Sequence, residues 1–227
     1  MPHRIALVGG TGPEGRGLAT RFAIAGHQVT IGSRDAARGV EVAAALAADL
    51  ERSAPAATRI DGADNGAAVA GADLVVVVVP YTAHRPTLEG LREALAGKIV
   101  VDAVVPVRFE RGPRPIEVAA GSATEEAAEL LPDSRIIGAF HNLAADVLLD
   151  PALDVDADVL VTGGDAEAKQ IVMALANEIA GVRAVDAGPL RFSRFVEGIT
   201  TLLIGINGRY KSHSSIRIAG LSEGVTP

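Results

Sequence analysis

Three glycines with the spacing G-x-G-x-x-G stand near the beginning of the chain, at Gly10, Gly12 and Gly15. In a loop that binds a dinucleotide, the first permits a tight turn, the second lets the backbone approach a pyrophosphate, and the third lets a helix pack closely on a sheet. An apolar segment, residues 4–8, precedes the loop and a helical pattern follows it. Because free N–H groups at a helix N-terminus favour an anion, this order predicts a dinucleotide site. An ordinary glycine-rich turn is the alternative.

Polar residues at the end of the second predicted strand indicate which dinucleotide binds. Ser33 and Arg34 lie about 20 residues after the glycines, where an NAD site has an acidic residue for the ribose 2′-hydroxyl. Arg38 follows one helical turn later. A hydroxyl group and two guanidinium groups suit a 2′-phosphate, and Asp35 is expected to cap the next helix. The sequence therefore favours NADP over NAD; the alternative is that both arginines are solvated at a helix start.

A second group of candidate residues follows the valine-rich segment at residues 73–80. Pro80, Tyr81 and His84 come at the carboxyl end of this segment, where ligands bind in parallel sheets. His84 is therefore a candidate for the cofactor site, and an ordinary surface histidine at a helix start is an equal alternative. The sequence shows no histidine cluster with metal-site spacing and no Ser-His-Asp set.

Alternating strands and helices must position these residues. An apolar run without alternation, such as residues 73–80, is typical of a parallel strand buried on both faces. The predicted strands are 4–8, 27–33, 58–62, 73–80, 98–104, 135–141, 157–164 and 182–190, and the predicted helices are 14–25, 36–52, 66–70, 84–96, 125–131, 165–181 and 192–206. This alternation predicts an α/β fold with a Rossmann-type, doubly wound and mostly parallel sheet. The Asp-rich segment 148–158 is the best candidate for a boundary between an NADP-binding domain at 1–150 and a smaller C-terminal domain at 151–227.

Composition excludes several classes of function. The chain has 227 residues, a formal net charge of −7 and no cysteine. An acidic chain offers no basic field for a nucleic-acid backbone, and the lack of cysteine excludes disulfides and thiolate metal ligands. The apolar runs are far shorter than the roughly 20 residues of a membrane helix, and an N-terminal strand leaves no space for a signal peptide. We therefore expect a soluble, cytoplasmic protein that contacts neither nucleic acid nor membrane.

Longer segments resemble a known family, the NADPH-dependent reductases of coenzyme F-420 (F420), an 8-hydroxy-5-deazaflavin. The most specific parts are "DAGPL" followed by "SRFVE" and an apolar helix, and the segment "AFHNLAA". The resemblance is carried by residues 5–35, 75–84, 99–107, 139–145, 186–207 and 209–221. It implies reversible hydride transfer between NADPH and F420, a nucleotide-binding domain with a small C-terminal domain, and a homodimer.

The resemblance also implies roles for individual residues, by matching position. Around the glycine loop, the pyrophosphate would be lined by Thr11, Gly12, Pro13 and Glu14, and after the second strand the 2′-phosphate would be held by Ser33, Arg34 and Arg38. After the valine-rich strand, the ribose and nicotinamide would be flanked by Val79, Pro80 and His84. The deazaflavin side would be formed by His141, Asn142, Leu143 and Ala144 after the sixth strand, with Leu202 and Ile206 on the last helix.

Hydride transfer between two ring cofactors needs no protein nucleophile, because the protein only has to hold the rings together and exclude water. The segment Val104-Val105-Pro106 and the pair Leu143-Ala144 fit an apolar wall of such a site, although plain core or turn residues are the alternative. His141 is the candidate catalytic residue, since it can donate to a ring carbonyl and stabilise developing charge. A core histidine bonded to the backbone is the alternative.

Some residues depart from the family pattern or extend it. Leu143-Ala144 stands where an apolar residue and a proline are expected in archaeal members, and Glu14 brings a carboxyl near the diphosphate. Basic residues of the tail, at positions 209, 211, 213 and 217, suit an anionic acceptor, and a solvated tail end is the alternative. Two other functions therefore stay open: an NADPH-dependent reductase of a flavin or imine, and a non-catalytic NADP-binding module.

Overall fold

The computed structural model describes residues 2–54, 57 and 59–221, and each predicted strand and helix has a counterpart in it. Thr58, the first residue of one predicted strand, lies outside the described residues. The strands are β1 Arg4–Val8, β2 Gln28–Ser33, β3 Ile60–Asp64, β4 Leu74–Val77, β5 Ile99–Asp102, β6 Val107–Phe109, β7 Pro113–Pro115, β8 Arg135–Gly138, β9 Ala157–Gly163 and β10 Val182–Gly188. The helices are α1 Pro13–Ile24, α2 Ala36–Ser53, α3 Asn65–Ala70, α4 Tyr81–Leu95, α5 Ala123–Leu130, α6 Ala145–Leu149, α7 Ala166–Asn177 and α8 Ser193–Tyr210.

Eight of the strands form one sheet in the order β10-β9-β8-β5-β4-β1-β2-β3. The pair β8–β9 is antiparallel, with Ile137 opposite Gly163, and the other pairs of this sheet are parallel. The prediction of a doubly wound, mostly parallel sheet is confirmed. The strand order reverses between β1 and β4, so a crevice opens at their carboxyl ends.

The core consists of two apolar layers, one on each face of the sheet. Successive residues of β1 point to opposite layers: Ile5 and Leu7 belong to one cluster, and Ala6 and Val8 to the other. Both layers are apolar, which explains why the central strands show continuous rather than alternating hydrophobicity. Within the described residues, no helix is both long and apolar enough to cross a membrane.

The segment 148–158, interpreted above as a boundary, is tied to the first helix. Arg21 is buried, with 4% of the residue exposed. Its guanidinium group donates to the carbonyl oxygens of Leu148 (2.9 Å), Val147 (2.7 Å) and Asp150 (2.6 Å). Strands β9 and β10 follow this segment and extend the same sheet. The division at residue 150 stays a prediction, and the two parts that it separates share one sheet.

Several element boundaries differ from the predicted ones, and the short helix α6 and one hairpin were not predicted. Strand β4 ends at Val77 rather than at residue 80, and β8 ends at Gly138 rather than at residue 141. Three residues after each of these strands are therefore free to form the walls of a crevice. The antiparallel pair β6–β7 was not predicted, because its three-residue strands are too short and polar for a periodic signal.

Candidate active site

A cavity of about 650 Å³ lies at the carboxyl ends of β1, β4, β5 and β8. Loops after these four strands form most of its wall, and helix α8 and the C-terminal tail close one side. Its lining residues are Gly9, Thr11, Gly12, Pro13, Glu14, Arg34, Val78, Val79, Pro80, Ala103, Val104, Val105, His141, Asn142, Leu143, Ala144, Ala145, Thr200, Leu203, Ile204, Asn207, His213 and Ser214. Most of the predicted site residues thus meet in one place.

The three glycines of the loop meet three different surroundings. The N–H of Gly10 donates to the carbonyls of Leu7 and Gly32, both at 3.0 Å, which closes the tight turn. A Cβ atom at Gly15 would lie 2.5 Å from the Cα of Gly10, so the helix packs against the loop without room for a side chain. A Cβ at Gly12 would meet no described residue within 4 Å, apart from its chain neighbours. The space beside Gly12 is therefore open to a ligand.

The first turn of α1 provides an anion site next to this open space. Helix α1 begins at Pro13, and Gly12 before it gives no side-chain cap. The N–H groups of this turn are therefore available to an anion, and the helix dipole favours one. The arrangement fits a dinucleotide diphosphate.

Glu14 lies in the same turn, and its carboxyl is unusual. Its Oε1 atom is enclosed and has no hydrogen-bond partner among the described residues. Burial raises the pKa of Glu14 to about 8, so the group is mainly protonated at neutral pH. The negative charge expected here from the sequence is absent under these conditions.

The residues predicted for the 2′-phosphate do not all reach the cavity. Arg34 lines it, whereas Ser33 is buried and its Oγ accepts from the N–H of Asp35 at 3.2 Å. Arg38 lies on α2 outside the lining set and pairs with Glu41 at 2.8 Å. Asp35 caps α2 by accepting from the N–H of Ala37, as predicted. Arg34 is thus the arginine of this group that lines the cavity.

His84 has a different position from the one predicted. Val79, Pro80 and Val104 line the cavity, but His84 is fully buried beneath it. Both ring nitrogens are engaged, Nε2 with Asp102 at 2.6 Å and Nδ1 with Glu126 at 3.0 Å. The expectation that His84 flanks the ribose is corrected, because the ring has no free atom to offer a ligand.

His141 faces the cavity with two unused nitrogens. Neither Nδ1 nor Nε2 has a partner among the described residues, although the residue is only 5% exposed. Burial lowers the pKa of His141 to about 4 against the opposing effect of Asp102, so the ring is neutral near pH 7. A neutral imidazole has one N–H donor and one acceptor. The core alternative, a ring bonded to the backbone, does not match these atoms.

The backbone around His141 is held from both sides. Phe140 before it is fully buried with φ 68°, a left-handed conformation that is strained for an aromatic residue. Thr200 donates its hydroxyl to the His141 carbonyl at 2.8 Å, and the Asn142 side-chain amide donates to the Asp158 carbonyl at 2.9 Å. These contacts direct the His141 ring into the cavity.

Helix α8 turns a different face to the cavity from the one predicted. Thr200, Leu203, Ile204 and Asn207 line it, with the i, i+3, i+4, i+7 spacing of one helix face. Leu202 and Ile206 instead line a separate groove of about 510 Å³ beside the β6–β7 hairpin. The predicted contact of these two residues with the deazaflavin is therefore corrected, because they lie on another side of the helix.

The C-terminal tail was predicted as irregular, and the structure brings it back to the cavity. Asn207 accepts from the N–H of Ser214 at 2.7 Å, which places His213 and Ser214 in the wall. Arg217, expected to be available to an anionic acceptor, pairs with Asp156 (2.7 Å) and Asp158 (3.1 Å). His213 was among the basic tail residues predicted to suit an anionic acceptor, whereas no sequence pattern marks Ser214 as a site residue.

The fold and the open glycine loop define a dinucleotide-binding protein of the Rossmann type. Comparison with known proteins gives the particular family. A family model described as "NADP oxidoreductase coenzyme F420-dependent" matches residues 4–106. The F420-dependent NADP reductase of Methanothermobacter thermautotrophicus is 40% identical over 98% of this chain and 97% of its own length, and that of Methanocaldococcus jannaschii is 41% identical over 96% and 99%.

A solved structure agrees with these sequence matches. The crystal structure of a putative F420-dependent NADP reductase from an Arthrobacter species superimposes with a TM-score of 0.80 at 29% identity, over 96% of this chain and 99% of that chain. The chain therefore belongs to the family of F420-dependent NADP reductases.

Proposed function

We propose that this protein catalyses reversible hydride transfer between NADPH and coenzyme F420. The observation that carries the proposal is one cavity with an anion site at the glycine loop, apolar walls, and a buried histidine with two unused nitrogens. When bound, NADPH and F420 supply the hydride donor and acceptor themselves. The chain has to bind both, orient them and exclude water.

The glycine loop and Arg34 hold the dinucleotide in this proposal. Main-chain N–H groups of Thr11, Gly12 and Glu14 receive the diphosphate, and protonated Glu14 adds no repulsion. Arg34 binds the 2′-phosphate, which a guanidinium group matches in charge and in geometry. Val79, Pro80 and Val104 form the wall for the ribose and nicotinamide.

The opposite side of the cavity holds the acceptor. His141 donates a hydrogen bond to a carbonyl oxygen of the acceptor ring, and this bond gains strength as charge develops there. Asn142 has an unused Oδ1 beside it, while Leu143 and Ala144 keep water from the rings. With a pKa of about 4, His141 stays neutral throughout the neutral and alkaline range.

A mixing assay tests the proposal. Purified protein receives NADPH or NADH together with oxidised F420, and the loss of deazaflavin absorbance is followed. We expect rapid loss with NADPH and little with NADH. Intact NADPH binding without any loss of absorbance would overturn F420 as the acceptor and leave the dinucleotide site standing.

The Arg34→Ala variant tests the cofactor assignment in the same assay. Loss of a charge-assisted bond worth about 1.5–3 kcal/mol should raise the KM for NADPH roughly 10- to 100-fold. The KM for NADH should change little. Arg52→Ala is the matched control, because Arg52 is an exposed arginine near the end of α2 that pairs with Asp49. Equal effects on NADPH and NADH would contradict the assignment.

We further propose that the protein acts as a homodimer in the cytoplasm, where NADPH is available. Exposed apolar side chains support the dimer: Phe109 is 70% exposed on β6, and Phe195 and Leu202 are 64% and 63% exposed on α8. Light scattering should give about twice the chain mass of 23.2 kDa. A mass of one chain would exclude the dimer.

A further inference from the structure

His84 and two carboxylates form a buried charged cluster directly beneath the cavity. The ring lies between Asp102 and Glu126, with both nitrogens at hydrogen-bond distance from a carboxylate oxygen. Because a carboxylate accepts and does not donate, both nitrogens must carry hydrogen. With both carboxyl groups ionised, the ring is therefore a charged imidazolium at a position with no solvent exposure.

Other charged and polar groups lie next to this ring or to its two carboxyl partners. Arg85 donates to the second oxygen of Glu126 at 2.8 Å, and the Tyr81 ring stacks on His84 with centroids 6.0 Å apart. Glu197 on α8 is buried nearby and accepts from the N–H groups of Ala123 and Thr124. A buried charged cluster is weak evidence for stability, since desolvation offsets much of the attraction between its charges. Stability alone therefore does not explain this cluster.

Asp102 connects this cluster to two walls of the cavity. Its Oδ1 accepts from the N–H of Val104 at 2.9 Å, and Val104 lines the cavity. Its main-chain carbonyl accepts from the N–H of Ala139 at 3.2 Å, two residues before His141. The orientation of the Asp102 carboxylate thus affects the position of Val104 in the cavity wall. The main chain of Asp102 also contacts the end of β8, which leads to His141.

We propose that His84 and Asp102 are positioning residues for hydride transfer: the charged ring holds the Asp102 carboxylate, and this carboxylate sets the Val104 wall against which the nicotinamide lies. This inference rests on the proposed function for the identity of the ligand. Neither side chain touches the cofactor in this arrangement. Their effect passes through the backbone of residues 102–104.

This arrangement makes kcat and NADPH affinity depend on pH. Burial alone would lower the pKa of His84, but Asp102 and Glu126 raise it to about 9. Above that pH the ring loses a proton and one of its two hydrogen bonds to the carboxylates. The kcat and the affinity for NADPH should therefore fall together as the pH rises through about 9. Glu126→Gln removes one charge that stabilises the imidazolium, so this alkaline limb should move down by about one pH unit or more.

The experiment follows kcat and the dissociation constant of NADPH, read by its fluorescence, across this pH range. All variants carry Glu14→Gln, because Glu14 titrates at a neighbouring pH. Glu178→Gln is the matched control: it removes a carboxylate from another buried histidine, His27, which precedes β2 at the amino end of the strands. We expect the limb of Glu126→Gln to move and that of the control to stay. His84→Gln should abolish the limb and lower kcat about tenfold or more.

If kcat and the NADPH dissociation constant of Glu126→Gln change at the same alkaline pH as without this substitution, the inference is overturned. This result does not depend on whether His84→Gln folds. Thermal unfolding at each pH separates loss of structure from loss of function. If the wild-type protein binds NADPH but does not reduce F420, the proposed function fails alone. The NADPH affinity profile then still decides whether His84 positions the nicotinamide wall.

Discussion

Gly12 and Gly15 lie three residues apart but differ in what a side chain would meet. Among the described residues, and leaving aside its two chain neighbours, nothing lies within 4 Å of a Cβ at Gly12. Gly12→Val should therefore fold, with an unfolding free energy within about 1 kcal/mol of wild type, since only a helix N-cap changes. It should nevertheless lose NADPH binding, because the new side chain occupies the space next to the anion site. Fluorescence titration and denaturant unfolding measure the two quantities.

Gly15→Val is the control with the opposite expectation. Its Cβ would lie 2.5 Å from the Cα of Gly10, which is backbone and cannot move aside cheaply. This variant should lose stability first and binding only as a consequence. A Gly12→Val protein that binds NADPH with the wild-type dissociation constant would show that the loop is not the binding site.

Glu14 should make both stability and cofactor binding depend on pH. Its pKa is about 8 in the folded chain, whereas a free glutamate has a pKa of about 4.3. Between these values the unfolded chain has lost a proton that the folded chain keeps, so stability falls as the pH rises. Glu14→Gln should therefore unfold at the same temperature as wild type at about pH 4, and at a higher temperature than wild type at about pH 8.

The same substitution should change NADPH binding. In wild type the affinity should weaken as the pH rises through about 8, where Glu14 becomes negative beside the diphosphate. In Glu14→Gln this step should be absent, and the fall through about pH 9 that is assigned to His84 should remain. Isothermal titration at several pH values measures it. Parallel pH profiles of the two proteins would mean that Glu14 points away from the bound cofactor.

Two faces of helix α8 meet different surroundings. One face, which includes Leu203 and Asn207, lines the cavity, and the other carries Leu202, which is 63% exposed. Leu202→Asp should reduce the mass in light scattering from two chains to one, because a carboxylate would be buried in the proposed dimer interface. Val40→Asp on α2 is the matched control, since Val40 is 54% exposed on a different element. Equal dissociation of both variants would argue against α8 as the interface.

At the scale of the whole molecule, one buried carboxylate joins the sheet to the tail. Asp158 on β9 is fully buried and accepts from Arg183 on β10 at 2.6 Å and from the N–H of Ile218 at 2.6 Å. Burial alone would raise the pKa of Asp158, but these donors and Arg217 hold it below its ordinary value. The resulting stabilisation is present above the ordinary pKa of aspartate and is lost as the pH falls through the lower, folded value.

Asp158→Asn should cost about 2 kcal/mol, because it removes the buried carboxylate that accepts from the partly exposed guanidinium group of Arg183 and from the N–H of Ile218. It should also release the tail, and with it His213 and Ser214 at the cavity wall. We expect faster proteolysis of the tail and a higher KM for F420, with a smaller change for NADPH. Denaturant unfolding and limited proteolysis measure these effects. Unchanged protection of the tail would mean that other contacts hold it.

The sequence by itself determined those features that depend on close neighbours. The glycine spacing, the cap at Asp35, the doubly buried strand β4 and the arginine at position 34 could all be predicted, because turn geometry, capping and periodicity are local. The family resemblance added the residues around His141. These local signals were sufficient for the fold class and for the position of the dinucleotide loop.

Only the tertiary structure decided which side chains face the cavity. His84 is drawn into the core by partners 18 and 42 residues away, and Leu202 turns away from the site because α8 packs on its other face. The tail returns to the cavity because Asp158 and Asn207 bind it. Each outcome depends on contacts between residues far apart in the chain, and neither composition nor periodicity carries that information.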